Sequence, residues 1–181
     1  MILTKQYLNE QVQKRNIFED YSFRDVFSEY DIFISYSWND VKFASLVMQL
    51  LENCGYKVYI DFEDNSLSRS NVTKQTALNL IDKMRKCKCL LYLHSPSASV
   101  SKWCPWELGC FSGMKNFRCA YIPLLNSADE YFKNQEYLKI YPYVDYETIA
   151  NKDTYAFWVC ENENNYVNLK QWINGKTPYA H

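Results

Sequence analysis

The chain has 181 residues, of which 48% are hydrophobic and 23% charged, and this fits one globular domain with small additions. Its net charge of -1 argues against binding to nucleic acid or to an anionic membrane by electrostatic attraction. No stretch approaches the roughly 20 apolar residues of a membrane span. The apolar start is also too short for a secretory signal, so we expect a cytoplasmic protein.

The cysteines indicate a reducing compartment rather than a disulfide framework. There are seven of them, an odd number, and most lie in apolar segments. A zinc site built from Cys87, Cys89 and Cys104 is disfavoured, because no CxxC pair or Cys/His spacing supports it. We expect neither a metal ion nor a bound cofactor.

Strands and helices are predicted to alternate along most of the chain. Residues 1–29 are polar with scattered apolar positions and predict a helical extension ahead of a domain at 30–181. Short apolar runs predict strands at 31–36, 57–61, 89–93 and 119–125. Apolar residues at helical spacing predict helices at 43–54, 77–84 and 103–114. This alternation predicts an α/β fold, with a parallel sheet and helices on both faces.

The pattern weakens after Leu125. We expect a fifth strand within 137–146 and an edge strand at 154–160. Tyr166, Leu169 and Trp172 fit a closing amphipathic helix.

Ligands of open parallel sheets bind beyond the carboxyl ends of the strands, so we expect a site at that edge. In this chain those ends carry Ser35, Tyr36, Trp38, Asp61 and Ser95. No GxGxxG or GxxxxGK sequence is present, which excludes a Rossmann phosphate cradle and a P-loop.

The run from Trp103 to Glu107 is the other candidate. Residues four apart share a helix face, so both side chains should point the same way. Pro105 is tolerated only in a first turn, which predicts a helix start near Cys104 and Glu107 at the third position. Two interpretations remain open: Glu107 bonds back to the helix cap, or it faces a ligand. Arg69 is similarly either a solvated side chain or a contact for phosphate.

Three segments together resemble TIR domains (Toll/interleukin-1 receptor type). The run 30–36 resembles their opening strand, and 55–61 resembles their second-strand box. The run 101–109 resembles the tryptophan–glutamate helix of the NAD-cleaving branch. The resemblance covers Tyr30 to about Leu125, whereas 126–181 is diverged. Segments 105–109 and 137–143 also look like small stand-alone bacterial TIR proteins, some of which serve phage defence of the Thoeris type.

The resemblance implies a flavodoxin-like fold with five parallel strands and NAD as the substrate. It implies that Glu107 corresponds to the family's catalytic glutamate and Trp103 to a supporting aromatic residue. It also implies self-association through TIR–TIR contacts and a separate effector protein that senses the product. Enzymes of this family often have basic or small residues after the first strand, whereas Ser37 and Trp38 follow it in this chain. The resemblance therefore does not assign the nicotinamide and phosphate contacts.

Three alternatives remain beside an NAD-cleaving enzyme. The first is an adaptor without catalytic activity that only assembles with other TIR domains. The second is an enzyme resembling nucleoside deoxyribosyltransferases, which would act on free nucleosides and ignore NAD. The third is an effector secreted into a host cell.

Overall fold

A single mixed sheet organises the computed structural model, which describes residues 3–15, 28–60, 73–126, 135–150, 152 and 154–181. Its eight strands lie in the order β2-β1-β3-β4-β5-β6-β7-β8. The strands are β1 (Tyr30–Ser35), β2 (Val58–Ile60), β3 (Cys87–His94), β4 (Cys119–Pro123), β5 (Tyr143–Thr148), β6 (Tyr155–Cys160), β7 (Asn165–Asn168) and β8 (Tyr179–Ala180). The α/β class predicted from the sequence is therefore confirmed.

Strands β1 to β5 are paired in parallel, and β1 lies between β2 and β3. Strands β1 and β3 are almost wholly buried because helices cover both of their faces, which explains their unbroken apolar sequences. All the carboxyl ends of these parallel strands point to one edge of the sheet, where the loops after β1 and β3 meet.

The carboxy-terminal part differs from the expected five-stranded sheet. Strand β6 was expected at an edge, but β7 pairs with it and β8 pairs with β7, all antiparallel. The Asn162 side chain accepts the backbone N–H groups of Asn164 and Asn165 and thereby closes the turn between β6 and β7. The expected closing helix is correspondingly shorter, because Tyr166 belongs to β7 and helix α6 begins at Leu169.

Helices cover the sheet from both sides. They are α1 (Lys5–Arg15), α2 (Val41–Asn53), α3 (Lys74–Arg85), α4 (Pro96–Ser99), α5 (Trp103–Met114) and α6 (Leu169–Ile173). Apolar residues of α1, α2 and α6 pack on one face, and those of α3, α4 and α5 pack on the other. Each face thus has its own hydrophobic core. None of the helices within the described residues is long and apolar enough to cross a bilayer.

Helix α1 is joined to the sheet rather than standing apart. Leu3 and Leu8 are buried in the same core as α2, and the Lys5 amide donates to the Leu125 carbonyl at 2.8 Å. Residues 1–2 and 16–27 of the expected extension lie outside the described residues.

Candidate active site

Glu107 lies on helix α5, two positions further from the helix start than the third position that Pro105 predicted. The helix begins at Trp103, in agreement with the predicted span 103–114, so Glu107 is its fifth residue and lies beyond the first turn. The Ser101 hydroxyl accepts the backbone N–H groups of Trp103 and Cys104, at 3.3 and 3.4 Å. Ser101 therefore satisfies the start of the helix, and the expected position of Glu107 in the first turn is wrong.

The Glu107 carboxylate accepts a hydrogen bond from the hydroxyl of Ser35. Ser35 is the last residue of the central strand β1, and its side chain is 1% exposed. Glu107 itself is half-buried, so the bond ties one carboxylate oxygen to the sheet while the side chain still reaches the surface. The structure thus brings together two residues that the sequence predicted separately, at the carboxyl edge where ligands of such sheets bind.

Tyr92 is a neighbour of this pair that the sequence did not predict. It is the register partner of Ser35 on the adjoining strand β3, and it is fully buried. The pKa of the Tyr92 hydroxyl is raised, mainly by burial and to a smaller extent by the nearby Glu107 carboxylate. The hydroxyl therefore stays protonated. His94 Nδ1 lies 3.2 Å from that hydroxyl. The strand register, which the sequence does not reveal, was the only signal that could have identified Tyr92.

Trp103 is half-buried on the same helix face as Glu107, one turn earlier. Its ring meets that of Trp106 edge to face, with centroids 5.2 Å apart and planes at 85°. Such a pair holds both rings in place. Trp106 is 37% exposed, so this end of α5 presents aromatic surface to solvent beside the carboxylate.

The other predicted contact residues take different places. Tyr36 packs against the core on the opposite face of the sheet from α5, and Trp38 is half-buried at the start of the 3₁₀ turn Trp38–Asp40. Ser95 is buried and donates to the Asp40 carboxylate, while its oxygen accepts the Ala98 N–H at 3.0 Å and so caps α4. Asp61 and Arg69 lie outside the described residues.

No group of three or more His, Cys, Asp or Glu side chains that could hold a metal ion occurs within the described ranges. All seven cysteines are free thiols. Burial raises the pKa of Cys87 and of Cys119 to about 12, so these thiols are protonated and behave as core residues.

A groove of about 380 Å³ lies on the antiparallel part of the sheet, not beside Glu107. It is lined by Tyr143, Asp145, Glu147, Thr148, Ala150, Trp158, Cys160, Asn162, Glu163 and Tyr166.

Comparison with known proteins agrees with this architecture. The sequence matches the family model of the TIR domain over residues 32–157. It is also 38% identical over 170 residues to a protein of Bacillus cereus (strain MSX-D12) named "Probable 3' cyclic ADP-D-ribose synthase ThsB'". That alignment covers 92% of this chain and 88% of the relative. The family match includes both Ser35 and Glu107, and the resemblance inferred from sequence motifs is confirmed. The chain belongs to the TIR domain family.

Proposed function

We propose that this protein cleaves the bond between nicotinamide and ribose in NAD, with Glu107 as the catalytic carboxylate. The hydrogen bond from Ser35 to Glu107 is the observation that carries the proposal. It holds a carboxylate at the ligand-binding edge of a parallel sheet, beside exposed aromatic surface. The similarity to a relative named as a cyclic ADP-ribose synthase supports NAD as the substrate.

One carboxylate is sufficient for this chemistry. Most glycosidases need a second carboxyl group to protonate the leaving group. Nicotinamide in NAD is a pyridinium cation, so the electron pair of the breaking bond neutralises the ring nitrogen and no proton is required. The sugar carbon is left with oxocarbenium character. Glu107 stabilises that positive charge and binds ribose hydroxyls, an electrostatic contribution that is fixed in place before the reaction starts.

The group that attacks the sugar carbon determines the product. Water gives ADP-ribose and releases a proton. A nucleophile within the same molecule, such as a ribose hydroxyl, gives a cyclic ADP-ribose, and that hydroxyl loses its proton on closing the ring. The name of the Bacillus cereus relative supports the cyclic outcome for this chain as well.

Trp103 forms a wall beside the nicotinamide ribose in this proposal. Trp38 offers stacking surface, Arg69 contacts the pyrophosphate, and Asp61 is a further substrate contact. Tyr36 packs on the opposite face of the sheet from Glu107 and Ser95 is buried against Asp40, so neither is proposed as a substrate contact. Ser35 acts through Glu107 and is a positioning residue.

We further propose that the enzyme works in the cytoplasm, where its free thiols remain reduced. The product is a diffusible signal for a separate effector protein in antiphage defence. The enzyme associates with copies of itself, and it needs neither a metal ion nor a resident cofactor. These statements rest on the family resemblance.

The decisive experiment is chromatography of NAD incubated with the purified protein, comparing wild type with Glu107→Gln. We expect nicotinamide and an ADP-ribose-derived product from wild type and a rate about 10²–10³-fold lower from the variant. Equal melting temperatures of wild type and Glu107→Gln would show that the variant is folded. Equal rates would exclude Glu107 from catalysis. Absence of nicotinamide at high protein concentration, with a crowding agent present, would favour the adaptor.

A further inference from the structure

Asp40 is a buried carboxylate that the proposed chemistry does not use. Its side chain is 1% exposed, and it accepts hydrogen bonds from the hydroxyls of Ser95 and Ser97. The Lys5 ammonium lies 3.3 Å from Asp40 Oδ1 and is 23% exposed. A buried carboxylate is tolerated only when such partners compensate for its lost hydration, so Lys5 is needed to balance this charge.

Lys5 reaches Asp40 from outside the region matched by the family model, which begins at residue 32. It is the first residue of α1, and its ammonium also lies 5.2 Å from the centre of the Phe43 ring. The start of α1 is fixed to the carboxyl end of β4, because Thr4 forms a parallel bridge with Leu125. Lys5 is therefore held in place by the backbone as well as by Asp40.

Asp40 connects the loops that follow the two central strands. It ends the 3₁₀ turn Trp38–Asp40, which begins three positions after Ser35 at the end of β1. Its partners follow β3 directly: Ser95 caps α4, and Ser97 is the second residue of that short helix. These loops lie at the sheet edge that receives ligands, so a shift of Asp40 would move the turn that carries Trp38.

We propose that Lys5 and Asp40 are positioning residues for NAD binding, and that α1 is thereby a required part of the site. The inference rests on the proposed function. The ion pair holds the loops after β1 and β3 in the shape that receives the substrate, while Ser35 independently holds Glu107. Loss of the ion pair weakens substrate binding more than it weakens bond cleavage.

The test compares the steady-state kinetics of Lys5→Met, Lys5→Arg and Lys88→Met with those of wild type. Lys88 is the matched control, because its ion pair with Asp31 lies at the opposite end of β1, with Nζ and Oδ1 2.7 Å apart. Lys5→Met is expected to raise KM for NAD by about tenfold with little change in kcat, as for a loss of ground-state binding. Lys5→Arg should restore KM, and Lys88→Met should leave it unchanged.

Equal KM values for Lys5→Met and Lys88→Met would overturn the proposal. The proposal would also be overturned if kcat of Lys5→Met fell in proportion to the loss of folded protein and Lys5→Arg did not restore it. Should Lys5→Met fail to fold, Asp40→Asn tests the same ion pair without leaving a buried charge uncompensated, and it too should raise KM.

Hydrogen exchange separates this proposal from the proposed function. Backbone amides at 36–40 and 95–99 should exchange faster in Lys5→Met than in Lys88→Met, whether or not NAD is cleaved. If the wild-type protein released no nicotinamide, the proposed function would be wrong. Faster exchange of these amides in Lys5→Met would even then show that Lys5 holds both segments in place. Unchanged exchange in both loops would overturn it.

Discussion

The hydroxyl of Ser35 donates a hydrogen bond to the carboxylate of Glu107, 72 positions later in the chain. The donor is fixed at the end of a buried strand, and the acceptor lies on a helix whose aromatic residues reach the surface. A carboxylate on a helix could otherwise take several side-chain conformations. The hydroxyl selects one of them before any substrate arrives, which lowers the entropic cost of reaching a reactive geometry.

Replacing Ser35 by alanine should therefore impair catalysis without removing a group that contacts NAD. We expect Ser35→Ala to lower kcat/KM by about 10- to 100-fold, as for other losses of alignment. Ser45→Ala is the matched control, because the Ser45 hydroxyl is also buried but has no hydrogen-bond partner among the described residues. Ser45→Ala should leave kcat/KM unchanged and should not lower stability. Similar kinetics for the two variants, measured as nicotinamide release, would argue against alignment by Ser35.

Trp103 should contribute to substrate binding through its ring. Burial of a large apolar side chain is worth about 1.5–3 kcal/mol, so loss of the wall beside the nicotinamide ribose in Trp103→Ala should raise KM for NAD by about tenfold or more. Trp103→Phe should recover part of the loss. Trp106→Ala removes the edge-to-face neighbour on the same helix and should have a smaller effect. The measurement is initial rate against NAD concentration, and a larger effect at Trp106 would reverse the assignment.

Asp31 should make stability depend on pH. Burial alone would raise its pKa, but the Lys57 N–H at 3.0 Å and the Lys88 ammonium outweigh burial and hold the pKa below the usual value of an aspartate. A lowered pKa in the folded state stabilises the protein above the unfolded-state pKa, and this contribution is lost as pH falls through the folded-state value.

Asp31→Asn should consequently be less stable than wild type near neutral pH, by up to about 1 kcal/mol because the ion pair is partly exposed. Urea unfolding should show this difference shrinking as pH falls below the usual carboxyl range. Asp82→Asn, which removes an exposed ion pair with Arg85, serves as the control and should have little effect at any pH. A constant difference for Asp31→Asn would show that its charge is not involved.

Self-association should appear in the kinetics if neighbouring copies complete the site. Activity per mole of protein should rise with concentration, since assembly follows mass action. The measurement is nicotinamide release across about a hundredfold dilution series. Lys88→Met, a variant with an altered surface charge, is measured alongside wild type to show whether the concentration dependence changes with surface charge. Constant activity per mole over the whole series would indicate that a single copy is competent.

The elements of the parallel sheet could be predicted from the sequence because their signals are local. Strands β1 and β3 are buried on both faces and read as apolar runs, and Gly55 marks the end of α2 with a positive φ of 85°. The carboxy-terminal strands were harder to predict. Tyr166 lies in β7 although its spacing to Leu169 and Trp172 also fits a helix, and pairing with β6 decides between the two.

The residues of the site were predicted individually, but their contacts were not. Glu107 and Ser35 were both singled out by position, and neither spacing nor composition shows that one donates to the other. Tyr92 was missed because its place beside Ser35 depends on strand register. The pairing of Lys5 with Asp40 joins a helix to a turn far along the chain, and contacts of this kind appear only once the sheet is assembled.

The central place of β1 has a consequence for how the protein should respond to heat. Hydrogen bonds join this strand to β2 on one side and to β3 on the other. Amides in such a position open only when the whole domain unfolds, whereas turns open earlier. Warming should thus erode the affinity for NAD first, through the turn that carries Trp38, and should abolish bond cleavage only at the melting temperature of the domain.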